Sequence, residues 1–211
     1  MKQAIFISGI DTDAGKTYAT AFYARRLMES GLSVVTQKFI QTGCTDSSED
    51  IEAHRRLLGI APLPEDRERL PAPLIFSYPA SAQLAARIDG REIDTHVIEN
   101  ATARLLERYD RVLIEGAGGL YVPITDDYFA IDYVAEHKLP LILVTNGRLG
   151  SINHTILSLK AIKAVGIGLA GVIYNTYYDN DPIIAADTAS FIQRFLDRHF
   201  PTAEYMTMPV F

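Results

Sequence analysis

The sequence predicts an α/β fold: a single domain with a mostly parallel β-sheet flanked by helices. Three observations support this prediction: apolar segments of strand length recur, helix-length segments lie between them, and a glycine-containing loop joins the first predicted strand to the first predicted helix. Strand–helix–strand alternation is typical of parallel sheets. A chain of 211 residues fits one domain, which we expect to span residues 1–211.

The predicted strands are mostly continuous apolar runs, as expected for strands that helices cover on both faces. The predicted strands span residues 3–9, 32–38, 111–116, 139–145 and 168–175. The predicted helices span residues 17–30, 50–59, 94–109, 127–138, 151–166 and 182–199. Residues 60–80 contain five of the ten prolines and show no clear period, so we expect a long irregular segment there.

Composition and charge exclude several classes of partner. Twenty Lys and Arg residues stand against 26 Asp and Glu residues, and no basic block resembles those that neutralise a nucleic-acid backbone. No apolar run reaches the roughly 18 residues of a membrane span, and the N-terminus lacks a secretory signal pattern. Cys44 is the single cysteine. We therefore expect a cytoplasmic protein with neither nucleic acid nor membrane as a partner.

The segment GIDTDAGKTY, residues 9–18, has the composition of a phosphate-binding loop, with one residue more than the usual G-x-x-x-x-G-K-[ST] spacing. This spacing is compatible with phosphate binding if Gly9 ends the strand and the loop proper begins after it. Backbone N–H groups at the start of a helix would then face the phosphates. The residues predicted to bind nucleotide here are Thr12, Asp13, Ala14, Gly15, Lys16 and Thr17.

Within this loop, Gly15 allows close approach of the phosphates, Lys16 supplies positive charge, and the Thr17 hydroxyl is a candidate magnesium ligand. The alternative is an ordinary strand-to-helix turn capped by Asp11 or Thr12. A phosphoryl-transfer site also needs carboxylates for the metal, and Glu115 ends a predicted strand. Glu115 is followed by Gly116, Ala117 and Gly118, which would let nucleotide or substrate approach the backbone.

Several of these segments resemble one known family. GIDTDAGKT is similar to the G-T-D-T-x-x-G-K-T motif of dethiobiotin synthetase, with Ile10 in place of threonine, and EGAGG followed by Pro123 also matches. TQKFIQTG resembles the family's K-P-x-x-[ST]-G, with Phe39 in place of proline. SSEDIEAHRRL and LGSINHTIL resemble two further family segments in the same order.

The resemblance implies roles for individual residues. Lys38 would hold the substrate carbamate and its phosphorylated form, and Thr42 and Gly118 would contact the substrate. Asp50 would join Thr17 and Glu115 as a metal ligand. Three other acidic residues compete with Asp50 for this role: Asp46, Glu49 and Glu52.

Other implied roles concern the base and a second subunit. Asn153 would reach the substrate carboxylate bound mainly to the other subunit, which implies a homodimer with shared active sites. Asn175 would contact the base, although Thr176 replaces the family's aspartate, so ATP is the default and another nucleotide stays open. Residues 208–211 would line the base pocket in abbreviated form.

The activity implied is ATP-dependent and requires Mg²⁺. 7,8-Diaminopelargonate would take up CO2 as a carbamate, which ATP would phosphorylate before ring closure to dethiobiotin, with Lys38 and Lys16 as the catalytic residues. Three alternatives remain: a partner-switching ATPase of the partitioning and division kind, an inactive nucleotide binder, and a different amine-activating ligase. The first of these carries a lysine where this chain has Asp11.

Overall fold

The computed structural model describes residues 2–210 and confirms the predicted fold class. A six-stranded sheet has the order β2-β5-β1-β6-β7-β8, and each adjacent pair of strands is parallel. Its strands are β1 (Gln3–Gly9), β2 (Val34–Lys38), β5 (Arg111–Gly119), β6 (Leu141–Asn146), β7 (Leu169–Asn175) and β8 (Glu204–Met208). A small parallel pair consists of β3 (Gln41–Thr42) and β4 (Ile75–Phe76).

Helices connect the strands. They are α1 (Lys16–Glu29), α2 (Glu49–Leu58), α3 (Pro64–Arg67), α4 (Ala82–Ile88), α5 (Thr95–Arg108), α6 (Ala130–Glu136), α7 (Ser151–Ala164) and α8 (Pro182–His199). Helix α2 begins where the Ser48 hydroxyl accepts a hydrogen bond from the Ile51 N–H at 3.2 Å, and acidic residues fill its first turn, as the helix dipole favours. No helix within residues 2–210 is long and apolar enough to cross a membrane.

The sheet is covered on both faces, which explains its continuous apolar strands. Successive side chains of β1 point to opposite faces. Ile5 and Ile7 pack in one core cluster with Ala19 and Ala24 of α1, whereas Phe6 packs in the other. All of these side chains are buried, so a strand with a polar residue at every second position would be unstable here.

The structure departs from the sequence-based prediction in a few places. Helix α6 begins at Ala130 rather than at residue 127, because Asp132 in its first turn accepts a hydrogen bond from the Phe129 N–H. Strand β8 and helix α4 were not predicted. Residues 60–80 are irregular, as expected, apart from two short elements, α3 and β4.

Candidate nucleotide and substrate site

The candidate site lies at the carboxyl ends of three adjacent strands. Strand β1 leads directly into the glycine loop, β2 ends at Lys38, and β5 continues through Glu115 into its glycines. Lys38 and Glu115 are register partners across the β2–β5 pair. Parallel strands bring their carboxyl ends to one edge, where ligands of open α/β sheets bind.

The glycine loop has a conformation that requires glycine before α1. Gly15 has a φ of +92° and is the N-cap of α1, with no side-chain capping bond. A Cβ atom at Gly15 would overlap the side-chain nitrogen of Asn175, well inside the 3.0 Å that Cβ atoms keep from other heavy atoms. The alternative of a turn capped by Asp11 or Thr12 is therefore wrong, and Asp11 instead accepts the Asp13 N–H at 2.8 Å.

Residues from the end of β7 and from the segments after β6 and β7 stabilise this loop. The Asn175 side-chain amide donates to the Ala14 carbonyl at 3.1 Å, and the Tyr178 hydroxyl donates to the Asp13 carbonyl at 3.0 Å. Arg148 forms an ion pair with Asp11, and its guanidinium carbon lies 4.9 Å from the centre of the Tyr178 ring. These contacts connect the loop to the segments that follow β6 and β7.

Lys16 lies within the loop that contains it. Its ammonium donates to the carbonyls of Asp11 at 2.9 Å and Thr12 at 3.0 Å. The residue is 5% exposed, and burial lowers its pKa to about 8, while the nearby Glu115 carboxylate opposes that shift. A pKa of about 8 still leaves the Lys16 ammonium mostly protonated near neutral pH.

Lys38, Asp50, Glu115 and Thr17 form a cluster beside the loop. The Lys38 ammonium lies 2.6 Å from Asp50 Oδ2 and 2.7 Å from Glu115 Oε1. The Thr17 hydroxyl lies 3.1 Å from Asp50 Oδ1 and 3.2 Å from Glu115 Oε1. The structure thus brings together the residues that the sequence assigned separately to metal and carbamate.

The pKa values in this cluster reflect competition between burial and charge. Burial by itself raises the pKa of Glu115, but the Lys38 ammonium and a hydrogen bond from His54 outweigh it and hold this pKa far below its usual value. Burial by itself lowers the pKa of Lys38, but the Glu115 and Asp50 carboxylates raise it above its ordinary value. Both groups are consequently charged near neutral pH.

The donor set fits Mg²⁺. The carboxylates of Asp50 and Glu115 and the hydroxyl of Thr17 converge as hard oxygen donors. The Lys38 ammonium contacts both carboxylates, so this arrangement attracts a cation. Within residues 2–210 no group of three or more His, Cys, Asp and Glu side chains could hold a metal alone. A site with few protein ligands is typical of Mg²⁺, which takes its remaining ligands from water and phosphates.

A cavity of about 390 Å³ collects most of the predicted site residues. It is lined by Thr12, Asp13, Gly15, Lys16, Thr17, Tyr18, Lys38, Ile40, Gln41, Thr42, Asp50, Glu115, Ala117, Gly118 and Tyr178. Of the four acidic candidates, Asp50 alone lines this cavity, whereas the Asp46 side chain is 94% exposed. Gly116 and Ala14 lie behind the lining, and the Gly116 carbonyl accepts from Lys38 at 3.3 Å.

A second cavity of about 290 Å³ adjoins the first and shares Gly15, Tyr18 and Tyr178 with it. Its remaining lining residues are Asn175, Tyr177, Met208, Pro209 and Val210. The predicted base contact, Asn175, and most of the predicted C-terminal pocket segment therefore lie together. Phe211, the last member of that segment, lies outside the described residues.

The predicted substrate contact Asn153 does not join this group. It lies exposed in the first turn of α7 and lines neither cavity. The family resemblance places its contact across a subunit interface. The role of Asn153 stays a prediction.

Sequence reasoning missed His54, Arg148 and Tyr178. His54 is fully buried, and its Nε2 lies 2.8 Å from Glu115 Oε2. Its position one helical turn after Asp50 was a usable signal, because residues four apart share a helix face. Arg148 and Tyr178 carry no such local signal, since their partners Asp11 and Asp13 lie far away in the sequence.

The fold and the glycine loop define a P-loop NTPase-like protein. A family model described as an AAA domain matches residues 3–202. Among solved structures, a ParA family ATPase from Chlorobium tepidum aligns with a TM-score of 0.56 at 16% identity, covering 100% of this chain and 86% of that one. A likeness at this identity shows the fold alone.

Named relatives are similar in sequence to this chain over nearly its whole length. An ATP-dependent dethiobiotin synthetase BioD 2 from Haemophilus ducreyi is 50% identical, covering 99% of each chain. Another from Pasteurella multocida is 46% identical, covering 99% of this chain and 98% of the relative. A BioD from Chlorobaculum tepidum is 47% identical, covering 93% and 82% respectively. The chain belongs to the dethiobiotin synthetase family, which confirms the resemblance found in the sequence.

Proposed function

We infer that the protein is an ATP-dependent cyclo-ligase that converts 7,8-diaminopelargonate and CO2 to dethiobiotin, with ADP and phosphate as the other products. Full-length relatives at 46% and 50% identity carry that name. The single structural observation that best supports it is Lys38, whose ammonium lies between two carboxylates on the wall of the cavity that the glycine loop also lines. A partner-switching ATPase would carry its second lysine at the position of Asp11, not at the end of β2.

We propose that the nucleotide occupies both cavities. Its phosphates would lie against the glycine loop in the larger cavity, where Lys16 and the start of α1 supply positive charge. Its base would lie in the smaller cavity beside Tyr177 and Met208, within reach of Asn175. Gly15, Tyr18 and Tyr178 line both cavities, so one nucleotide would contact these three residues from both sides.

The proposed reaction has three steps. One amine of the substrate adds to CO2 and loses a proton, which gives a carbamate. A carbamate oxygen attacks the γ-phosphorus of ATP and ADP leaves, which gives a carbamic-phosphoric anhydride. The second amine then attacks the anhydride carbon and loses a proton, phosphate leaves, and the ureido ring closes. None of these steps requires a side-chain nucleophile.

Electrostatics and positioning would supply the catalysis. Carbamate and γ-phosphate are both anions, so their approach is repulsive unless cations lie between them. Lys16 and Lys38 line the same cavity and provide two such charges. Thr42 and Gly118, on the walls of that cavity, would contact the diamine.

Thr17, Asp50 and Glu115 would hold Mg²⁺ in this proposal. The ion, when bound with nucleotide, would neutralise phosphate charge. Because Lys38 contacts the same carboxylate oxygens, its ammonium would be displaced from them and become available to the substrate. A homodimer that places Asn153 near the partner's substrate, and a cytoplasmic location, complete the proposal.

The function is tested by measuring ADP release with Mg²⁺ and ATP, with and without diaminopelargonate and bicarbonate. We expect release only when both additions are present, together with one dethiobiotin formed for each ADP. Release that ignores the diamine would favour an ATPase switch and refute the proposal. An absence of release under every condition would also refute it and favour an inactive nucleotide binder.

A further inference from the structure

His54 contacts a candidate magnesium ligand from inside the core. It is 0% exposed, and its Nε2 lies 2.8 Å from Glu115 Oε2. Its other ring nitrogen, Nδ1, is buried and has no hydrogen-bond partner within residues 2–210. A buried histidine with a structural role alone would normally satisfy both nitrogens. The polar contact of this ring is thus directed at Glu115.

The direction of the hydrogen bond follows from the state of Glu115. This carboxylate is ionised beside Lys38, so both of its oxygens accept. Nε2 of His54 therefore carries a proton and donates it to Glu115 Oε2.

The bond fixes which oxygen of Glu115 faces the cavity. Oε2 is engaged by His54, whereas Oε1 lies 3.2 Å from the Thr17 hydroxyl and 2.7 Å from the Lys38 ammonium. The terminal side-chain torsion of glutamate, χ3, has a broad distribution, so the carboxylate rotates easily about that bond. Without His54, Oε1 and Oε2 would exchange places and the acceptor facing Thr17 would not be fixed.

His54 also affects the position of the Glu115 carboxylate relative to that of Asp50. Asp50 and His54 are one turn apart on the same face of α2, and Glu115 belongs to β5. A hydrogen bond from α2 to Glu115 therefore sets the distance between Asp50 and Glu115. We propose that His54 is a positioning residue that holds the Asp50–Glu115 pair in the geometry that binds magnesium nucleotide. This inference rests on the magnesium site of the proposed function.

The test compares binding of a non-hydrolysable ATP analogue, AMP-PNP, with Mg²⁺ and with EDTA, by calorimetry on the full chain. His54→Leu removes the donor, His54→Asn is too short to reach Glu115, and His54→Gln keeps a donor near the Nε2 position. Outer-shell partners of metal ligands typically contribute about 10- to 100-fold in metal affinity. We expect His54→Leu and His54→Asn to lose roughly tenfold or more of the Mg²⁺-dependent gain in AMP-PNP affinity. His54→Gln should recover most of it, and binding in EDTA should stay unchanged.

Arg55→Lys is the matched control for damage to α2. Arg55 is buried on the same helix and contacts Asp66 and Thr36 rather than the site, so its loss perturbs α2 without touching Glu115. The Arg55→Lys variant should have lower thermal stability and keep the full Mg²⁺-dependent gain in AMP-PNP affinity. If His54→Leu does not fold, the Asn and Gln variants provide the same comparison.

Three results overturn the inference. A wild-type Mg²⁺ gain in both His54→Leu and His54→Asn refutes it, as does an equal loss with Mg²⁺ and with EDTA, or a His54→Gln variant no better than His54→Asn. A wild-type chain whose AMP-PNP affinity ignores Mg²⁺ would instead refute the magnesium site itself. ADP release that requires the diamine would still stand as separate support for the ligase.

Discussion

Among substitutions that each add one methyl group to the glycine loop, Gly15→Ala should weaken nucleotide binding the most. Gly15 has a φ of +92°, and a Cβ atom there would meet the Asn175 side-chain nitrogen. A residue other than glycine loses about 1–2 kcal/mol in the left-handed region. Displacing Asn175 also breaks its hydrogen bond to the Ala14 carbonyl, which contributes about 1 kcal/mol.

These two losses add to about 2–3 kcal/mol, which corresponds to a roughly 30- to 150-fold loss of affinity if the loop relaxes locally. If the loop keeps its conformation, the same free energy is lost from the stability of the folded chain instead. Calorimetry with AMP-PNP and urea unfolding should therefore be measured together. We expect their two losses to sum to about 2–3 kcal/mol.

Gly31→Ala is the control for this substitution. Gly31 has a φ of +88°, yet a Cβ atom there meets nothing within 4 Å. It should cost about 1–2 kcal/mol of unfolding free energy and leave AMP-PNP affinity unchanged. If Gly15→Ala kept both affinity and stability near wild type, the reasoning from loop geometry would be refuted.

Three further substitutions test other parts of the site and core. Lys38→Ala should lower turnover far more than AMP-PNP affinity, because the proposed function places its charge on the carbamate. Equal losses of turnover in steady-state kinetics and of affinity in calorimetry would contradict this role. Asn175→Ala should weaken AMP-PNP binding by about tenfold, because the Ala14 carbonyl loses its hydrogen-bond donor. Unchanged affinity in calorimetry would contradict this prediction. Phe39→Ala should cost about 3–5 kcal/mol of unfolding free energy, because the buried Phe39 ring packs with its centre 4.7 Å from the centre of the Tyr133 ring. A loss below about 1 kcal/mol in urea unfolding would contradict this prediction.

The sequence alone determined the features that depend on neighbouring residues. The continuous apolar strands, the loop from Gly9 to Thr17 and the start of α1 follow from short contiguous patterns. Such patterns act through local backbone conformation and through side chains one strand or one helical turn apart. The family could be identified from the sequence for the same reason, since its motifs are contiguous.

Tertiary structure alone decided which residues meet at the site. Asp50 lines the cavity and Asp46 does not, because α2 places Asp50 beside Lys38, whose register partner is Glu115. His54 meets Glu115 across a separation of 61 residues.

Asn175 meets Ala14 across 161 residues. Contacts of this kind depend on strand order and helix packing, so no short stretch of sequence encodes them. The chemistry of each residue is fixed by its type, but the distances between those residues are fixed by the sheet.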